Sequence, residues 1–265
     1  MWAELTAAPL YIGILNLTPD SFSDGGRFMA PDAAVAQARF LVQSGAGMLD
    51  LGAESTRPGA ATVNVETEWR RLEPVLSALA VALPGTPLSL DTRHAVVAAR
   101  GLQAGVSVIN DVTGFSDPDL LKLVRDTPCG LIAMRSRRQG DGFHMPPYAD
   151  PTPRDAEAAI AELCRVRDRL RAAGISDGRV LLDPGFGFGT TYLEDLALWE
   201  ALPTLAVRLG WPTPRICIGI SRKRFLAARA GTQELSPGQR DGLTLSAHGE
   251  ALQWGYRVFR THAIG

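Results

Sequence analysis

Apolar runs alternate with amphipathic stretches along the whole chain. Eight short runs read as buried strands: Leu10–Leu17, Met48–Ala53, Leu88–Asp91, Ser107–Val112, Leu131–Met134, Val180–Asp183, Ile216–Ile220 and Tyr256–Phe259. Most are near-continuous in apolar residues rather than alternating, which suits strands covered on both faces. Helical periodicity fills the gaps near Pro31–Gln43, Val65–Ala82, His94–Gln103, Pro118–Arg125, Arg154–Ala173 and Leu193–Leu209. A last helical region is split by Ser236-Pro237-Gly238 into Arg222–Ala230 and Gln239–Gly255. Alternating β and α without a break in composition predicts one domain over residues 1–265 built on a parallel sheet. Eight strands favour closure into a (β/α)8 TIM barrel. A doubly wound open sheet satisfies the same alternation. Nothing helical follows the eighth run, so the expected barrel lacks its final C-terminal helix. Either the sequence is truncated there or a partner chain covers the groove.

The polar residues decide between the two architectures. Asn16, Glu54, Asp91, Asn110-Asp111, Arg135, Asp183, Ser221 and Arg260 each follow an apolar run at its C-terminal end. In a closed barrel those ends share the face that carries the site. Asp91, Asp183 and Asn110 would then converge on one pocket. Two carboxylates and an amide can hold a planar heterocycle with an amino-pyrimidinone edge, and Lys223 can donate to its carbonyl oxygen. Any one of them alone reads equally well as a cap on the following helix, as Asp91-Thr92 does. Four on one face favour a ligand.

Two loops add to that face. The first strand breaks at Thr18-Pro19 into a polar stretch with Asp20, Ser21, Phe22, Ser23 and Asp24, closed by Gly25-Gly26. Restriction at one end and freedom at the other suit a lid. Glu54-Ser-Thr-Arg-Pro-Gly59 follows the second strand in the same way, although Arg57 alone would read as a surface ion-pairing residue. Asp183 opens Asp-Pro-Gly-Phe-Gly-Phe-Gly189, whose spacing and place on the sixth strand do not fit a dinucleotide fingerprint. Ser221-Arg-Lys223 puts two cations at a helix start, where cations are unfavourable unless an anion lies nearby. Arg260 and His262 add a guanidinium able to clasp a phosphate and an imidazole. His94, His144 and His248 read as structural or solvated.

Composition narrows the partners. The chain is 46% hydrophobic and 21% charged with a net charge of −1, and no basic run is long enough to track a phosphate backbone. Nucleic acid is therefore not an expected partner. Cys129, Cys164 and Cys217 are widely spaced among apolar neighbours and read as reduced thiols of a cytoplasmic protein. No apolar run approaches a membrane span, and the first residues lack a secretory pattern.

Taken together, Asn16-Leu-Thr-Pro-Asp-Ser-Phe-Ser-Asp-Gly-Gly26, Glu54-Ser-Thr-Arg-Pro-Gly59, Leu90-Asp-Thr92, Ile109-Asn-Asp-Val112, the Asp183–Gly189 run and Ser221-Arg-Lys223 resemble the dihydropteroate synthase family, which sulfonamides target. The resemblance covers nearly the whole chain. It implies a barrel that joins 6-hydroxymethyl-7,8-dihydropterin pyrophosphate to 4-aminobenzoate and releases pyrophosphate, with Mg²⁺ as cofactor and a homodimeric assembly. By position, Asp91, Asn110, Asp183, Lys223 and Arg260 would hold the pterin. Asn16, Arg260 and His262 would hold the pyrophosphate, with Asn16 also on the metal. Phe22, Thr56, Arg57, Pro58, Ser221 and Arg224 would shape the aminobenzoate pocket, while Asp24, Asp20 and Lys223 would be catalytic. The chain departs from the family pattern at Thr190 (usually Lys), Arg224 (usually Ser), Ala263 (usually Asp) and in the segment after Arg135. Those departures motivate two competing readings: a catalytically weakened pterin-binding paralogue, or a pterin-dependent methyltransferase-like barrel.

Overall fold

A computed structural model describes residues 2–18, 31–54, 62–139, 142–143, 155–232 and 235–264. Eight strands form one sheet: β1 (Leu10–Asn16), β2 (Ala46–Gly52), β3 (Leu88–Asp91), β4 (Val108–Asp111), β5 (Gly130–Met134), β8 (Val180–Asp183), β9 (Cys217–Ile218) and β10 (Val258–Thr261). Among the described residues the short strands β6 (Arg138–Gln139) and β7 (Gly142–Phe143) pair with each other alone, antiparallel. Neighbours run β8-β5-β4-β3-β2-β1-β10-β9, and every pairing in this sheet is parallel. A parallel bridge from Leu182 to Ile216 joins the two outer strands. The sheet thus rolls into a (β/α)8 TIM barrel, and the open-sheet alternative is set aside.

The helices between strands are α2 (Pro31–Gln43), α3 (Val65–Ala82), α4 (Ala95–Gln103), α5 (Pro118–Asp126), α6 (Glu157–Ala172), α7 (Tyr192–Leu209), α8 (Arg224–Arg229) and α9 (Pro237–Gln253). Local chemistry sets several of their ends. Asn64 caps α3 by accepting from the Thr67 N–H, and Asp117 caps α5 just before Pro118. Thr191 with Glu194, and Ser236 with Gln239, form capping boxes at α7 and α9. Gly210, in the left-handed region at φ 55°, ends α7. The apolar faces of these helices and the outward residues of the strands form the larger core, from Leu15 and Leu41 through Leu131 and Val166 to Phe259.

A short leading helix, α1 (Trp2–Leu5), has no counterpart in the sequence reading. Trp2 is fully buried and its indole N–H donates to the Arg179 carbonyl at 2.7 Å. It belongs to a second core with Leu10, Ile12, Met48, Val108, Ile132, Leu181, Cys217 and Val258. That cluster fills the barrel interior. Because side chains alternate along a strand, the residues two positions further on point the same way. On β2, β4, β8 and β10 these are Asp50, Asn110, Asp183 and Arg260, so on those four strands the interior turns from apolar to polar or charged in one step, while Ile14, Met134 and Gly219 follow on β1, β5 and after β9. The apolar plug is a rigid floor on which the charged layer is built.

The last strand differs from its expected bounds. Tyr256 looks like strand by composition, but its N–H bonds the Ala251 carbonyl and completes the exit from α9, while its hydroxyl donates to the Leu202 carbonyl at 2.7 Å. The strand therefore starts at Val258 and runs to Thr261, which places Arg260 within it. β9 is likewise shorter than expected, and Gly219 and Ile220 already belong to the connection that leads into the site. The three cysteines are free thiols. Among the described residues no helix is long and apolar enough to cross a membrane.

Candidate active site

A cavity of about 490 Å³ opens at the C-terminal ends of the strands. Its wall includes Asn16, Glu54, Asp91, Asp183, Phe188, Ser221, Lys223, Arg260 and His262, contributed by strands or connections from around the barrel. The volume suits a ligand the size of a bicyclic ring.

The floor is an ion-pair network. Arg260 donates from Nε to Asp50 Oδ2 at 2.6 Å and from Nη2 to Asp91 Oδ2 at 2.7 Å. Asn110 Nδ2 donates to the same Asp50 oxygen at 2.9 Å. Burial pushes the Asp91 carboxyl up to about 8, opposed by the Arg260 cation and reinforced by the Asp50 charge. Burial also works against the charge on Arg260, but Asp50 and Asp91 outweigh it and hold the guanidinium ionised.

Asp183 starts a turn made by the backbone. Its Oδ1 accepts the Gly185 N–H at 2.7 Å, while burial pushes its carboxyl upward. Gly185 sits at φ +67°, and a Cβ there would lie 2.0 Å from the Arg135 carbonyl oxygen, so no other residue fits. Arg135, at the end of β5 and 1% exposed, fastens the same turn: it donates to the carbonyls of Pro184 at 2.7 Å, Gly185 at 2.8 Å and Phe188 at 3.3 Å. Further on, Asp195 accepts from the Gly187 N–H and from the Thr190 hydroxyl. The run of glycines is held in one shape, with Phe188 on the wall. Lys223 Nζ lies 4.1 Å from the centre of the Phe188 ring. Burial pulls the Lys223 ammonium down to about 8, although Asp195 and Asp183 favour its charge.

The opposite rim is built for an anion. Asn16 Nδ2 is 3.4 Å from His262 Nε2, and His262 Nδ1 is 3.0 Å from Ser221 Oγ, which also accepts the His262 backbone N–H at 3.1 Å. Burial, with the cations Arg222, Arg260 and Lys223 around it, lowers the His262 imidazole to about 3, so the ring is neutral. With Nε2 accepting from Asn16, the ring proton resides on Nδ1 and points to Ser221. Arg222 holds a left-handed backbone at φ 59°. It is clasped by α9 through two bonds to Asp241, at 2.7 and 2.8 Å, and a bond from its N–H to Thr244. That clasp fixes the turn that presents Ser221 and Lys223.

A model of the pterin binding enzyme family matches residues 12–262. A dihydropteroate synthase of Neisseria meningitidis serogroup C is 37% identical over 260 residues, covering 97% of this chain and 88% of that protein. One from Mycobacterium leprae is 38% identical over 268 residues, covering 98% and 91%. Among solved structures, the Xanthomonas albilineans dihydropteroate synthase with 4-aminobenzoic acid superposes with a TM-score of 0.81 at 39% identity, covering 98% of this chain and 89% of that one. The same enzyme with 7,8-dihydropteroate gives 0.78 at 36% identity, with the same coverage. The chain belongs to the dihydropteroate synthase family.

Of the residues singled out from the sequence, most of those among the described residues meet at one mouth of this family member. Asn16, Asp91, Asp183, Ser221, Lys223, Arg260 and His262 line it, and Asn110 is buried beside Asp91, its register partner. Asp20, Phe22, Asp24, Thr56, Arg57 and Pro58 lie outside the described residues. Arg224 begins α8 exposed and is not part of the cavity wall, where Arg240 of α9 stands instead. Arg135 turns sideways to clamp the glycine run rather than facing the mouth. Asp50 is not among the residues the sequence singles out, because it sits mid-strand in an apolar run. A charge inside such a run, unlike a polar residue at its end, was the available signal. Glu54 anchors the base of the second loop, accepting from Arg93 Nε at 2.8 Å, from Arg93 Nη2 at 2.9 Å and from the Val63 N–H at 3.1 Å. His94 begins α4 and bonds Glu68 at 2.6 Å, a structural role as expected. His248 lies within α9, buried against Phe259.

Proposed function

We propose that this mouth condenses 6-hydroxymethyl-7,8-dihydropterin pyrophosphate with 4-aminobenzoate to give 7,8-dihydropteroate and pyrophosphate, a transferase step of folate biosynthesis. The convergence of Asp91, Asp183 and Arg260 on one cavity carries the reading: acceptors for a ring rich in N–H donors stand beside a cation for the leaving diphosphate. Asp91, Asn110 and Asp183 accept from the pterin edge, and Lys223 donates to its carbonyl oxygen. Arg260, Asn16 and His262 take the diphosphate.

The arylamine nitrogen forms a bond to the pterin CH₂ as the C–O bond to the diphosphate breaks, the bonding pair leaves with the oxygen, and the amine proton passes to solvent. The electron-rich ring supports positive charge at the CH₂, so the protein's work is electrostatic stabilisation and positioning. Asp24 and Asp20 on the first loop are assigned to that cationic centre. Phe22, Thr56, Arg57 and Pro58 with Ser221 are assigned to the aminobenzoate.

Among the described residues no group of three or more His, Cys, Asp or Glu could hold a metal. Mg²⁺ fits in another way, since it keeps several waters and takes few protein ligands when it binds with substrate phosphates. Asn16, whose Nδ2 faces His262, has its amide oxygen left for the ion. Bound there, Mg²⁺ would neutralise charge on the departing diphosphate. A homodimer working in the cytoplasm completes the reading.

The test is pyrophosphate release. With both substrates and Mg²⁺, release matched by a product of the mass of 7,8-dihydropteroate is expected, and omission of either substrate stops it. Tight pterin binding without release would favour the weakened paralogue that the departures at Thr190, Arg224 and Ala263 first suggested.

A further inference from the structure

We infer that Asp50 is the positioning residue for ring recognition: by taking one N–H of the Asn110 amide on its Oδ2, it fixes the amide's orientation and leaves Oδ1, on the side away from Asp50, as the acceptor for the ligand. Asn110 is buried, and the 2.9 Å bond commits one of its two N–H groups and so sets which end of the amide faces Asp50. Asp50 is fully buried, one strand layer above the apolar plug, and cannot rotate freely, because the same Oδ2 takes Arg260 Nε at 2.6 Å. An unconstrained carboxamide could flip and offer a donor instead, at little cost. With Asp50 in place the ring meets acceptors at Asp91, Asp183 and Asn110 and a donor at Lys223. That pattern selects a ring edge with several N–H groups and a carbonyl, and disfavours rings carrying acceptors at the Asn110 position.

Arg260 does not depend on Asp50 alone, since Nη2 keeps its 2.7 Å bond to Asp91. Loss of Asp50 therefore separates the two ends of the site. The inference rests on the pterin reading of the cavity, and wild-type binding of 6-hydroxymethylpterin is the control for that reading. If the wild-type chain fails to bind it, the proposed function falls first.

The experiment measures binding of 6-hydroxymethylpterin and, separately, of pyrophosphate with Mg²⁺ by calorimetry. Asp50→Leu, which removes the acceptor while filling the space, weakens the ring ligand by about 10- to 100-fold, as expected for loss of a buried charged-group hydrogen bond. Pyrophosphate affinity stays within a few-fold or tightens. Asp50→Asn keeps an oxygen for Asn110 and brings ring binding back to within a few-fold of wild type. In the Asn110→Ala background, Asp50→Leu costs little more, because its effect runs through Asn110. If Asp50→Leu does not fold, Asp50→Ala takes its place in each comparison. Ring binding unchanged in the acceptor-less variant, both ligands weakened together in a folded protein, or Asp50→Asn no better than Asp50→Leu would overturn the inference.

Discussion

Asp91 and Arg260 meet at 2.7 Å, carboxylate to guanidinium, although 169 positions separate them and their strands β3 and β10 are not neighbours in the sheet. Only a closed barrel lets them touch. Arg260 stands between Asp91 and Asp50 with a fork that reaches both, and a lysine has one point of charge where two directions are needed. Arg260→Lys is expected to lower kcat/KM for the pterin pyrophosphate by about 10- to 100-fold while the protein remains folded. Arg260→Ala leaves the buried Asp50 and Asp91 carboxyls without the cation both of them bond and is expected to cost about 3–5 kcal/mol in denaturant unfolding. Equal stability of the two variants would contradict this role.

Arg135 gives a prediction away from the ligand. It is buried and makes three bonds to carbonyls of the glycine run, plus an ion pair with Glu162 at 3.2 Å. Lysine cannot reproduce those directions. Arg135→Lys should destabilise the fold by about 2–4 kcal/mol and weaken pterin binding through Asp183, whose turn it secures. Thermal unfolding and pterin titration check the two effects together, and a variant that loses neither would show the clamp to be dispensable.

Much of this was legible in the sequence, for a physical reason. Buried parallel strands must be apolar on both faces, so a polar residue ending such a run stands out, and Asn16, Asp91, Asp183 and Arg260 did. The sequence was silent where burial and polarity coincide. Asp50 lies inside a strand, and Arg135 ends one but turns to a neighbouring connection, which periodicity cannot reveal. Arg224 shows the reverse: its place beside Ser221-Arg-Lys223 suggested the site, yet the helix it starts carries it outward. Tyr256 resembles a strand residue because aromatic and β-branched neighbours look like strand even where the backbone is still leaving a helix.

The pH profile follows from two groups in the mouth. Asp91 must be ionised to accept from the ring, and it loses its proton near 8; Lys223 must be protonated to donate, and it too titrates near 8. Activity therefore rises with pH through the first ionisation and falls through the second. The profile of kcat/KM should be narrow and centred near 8, its limbs belonging to the coupled cluster. Lys223→Arg is expected to remove the alkaline fall while lowering the maximum. A fall at the same pH in that variant would assign the limb elsewhere.

His248 makes stability depend on pH. Burial lowers its imidazole from 6.5 to about 4, and neither ring nitrogen has a hydrogen-bond partner among the described residues. The unfolded chain binds the proton more readily than the folded one, so stability is lost as pH falls below about 6.5, down to about 4. The lost stability is on the order of 3 kcal/mol. His248→Leu should flatten that part of the curve of unfolding free energy against pH. An unchanged slope would place the titration on other groups.

The most direct measurement is a crystal structure with the pterin pyrophosphate and Mg²⁺ bound. The expected density has the ring against Asp91, Asn110, Asp183 and Lys223, with the diphosphate on Asn16, Arg260 and His262. A ring seated away from Asp91 and Asp183, or a diphosphate that leaves Arg260 untouched, would contradict the account.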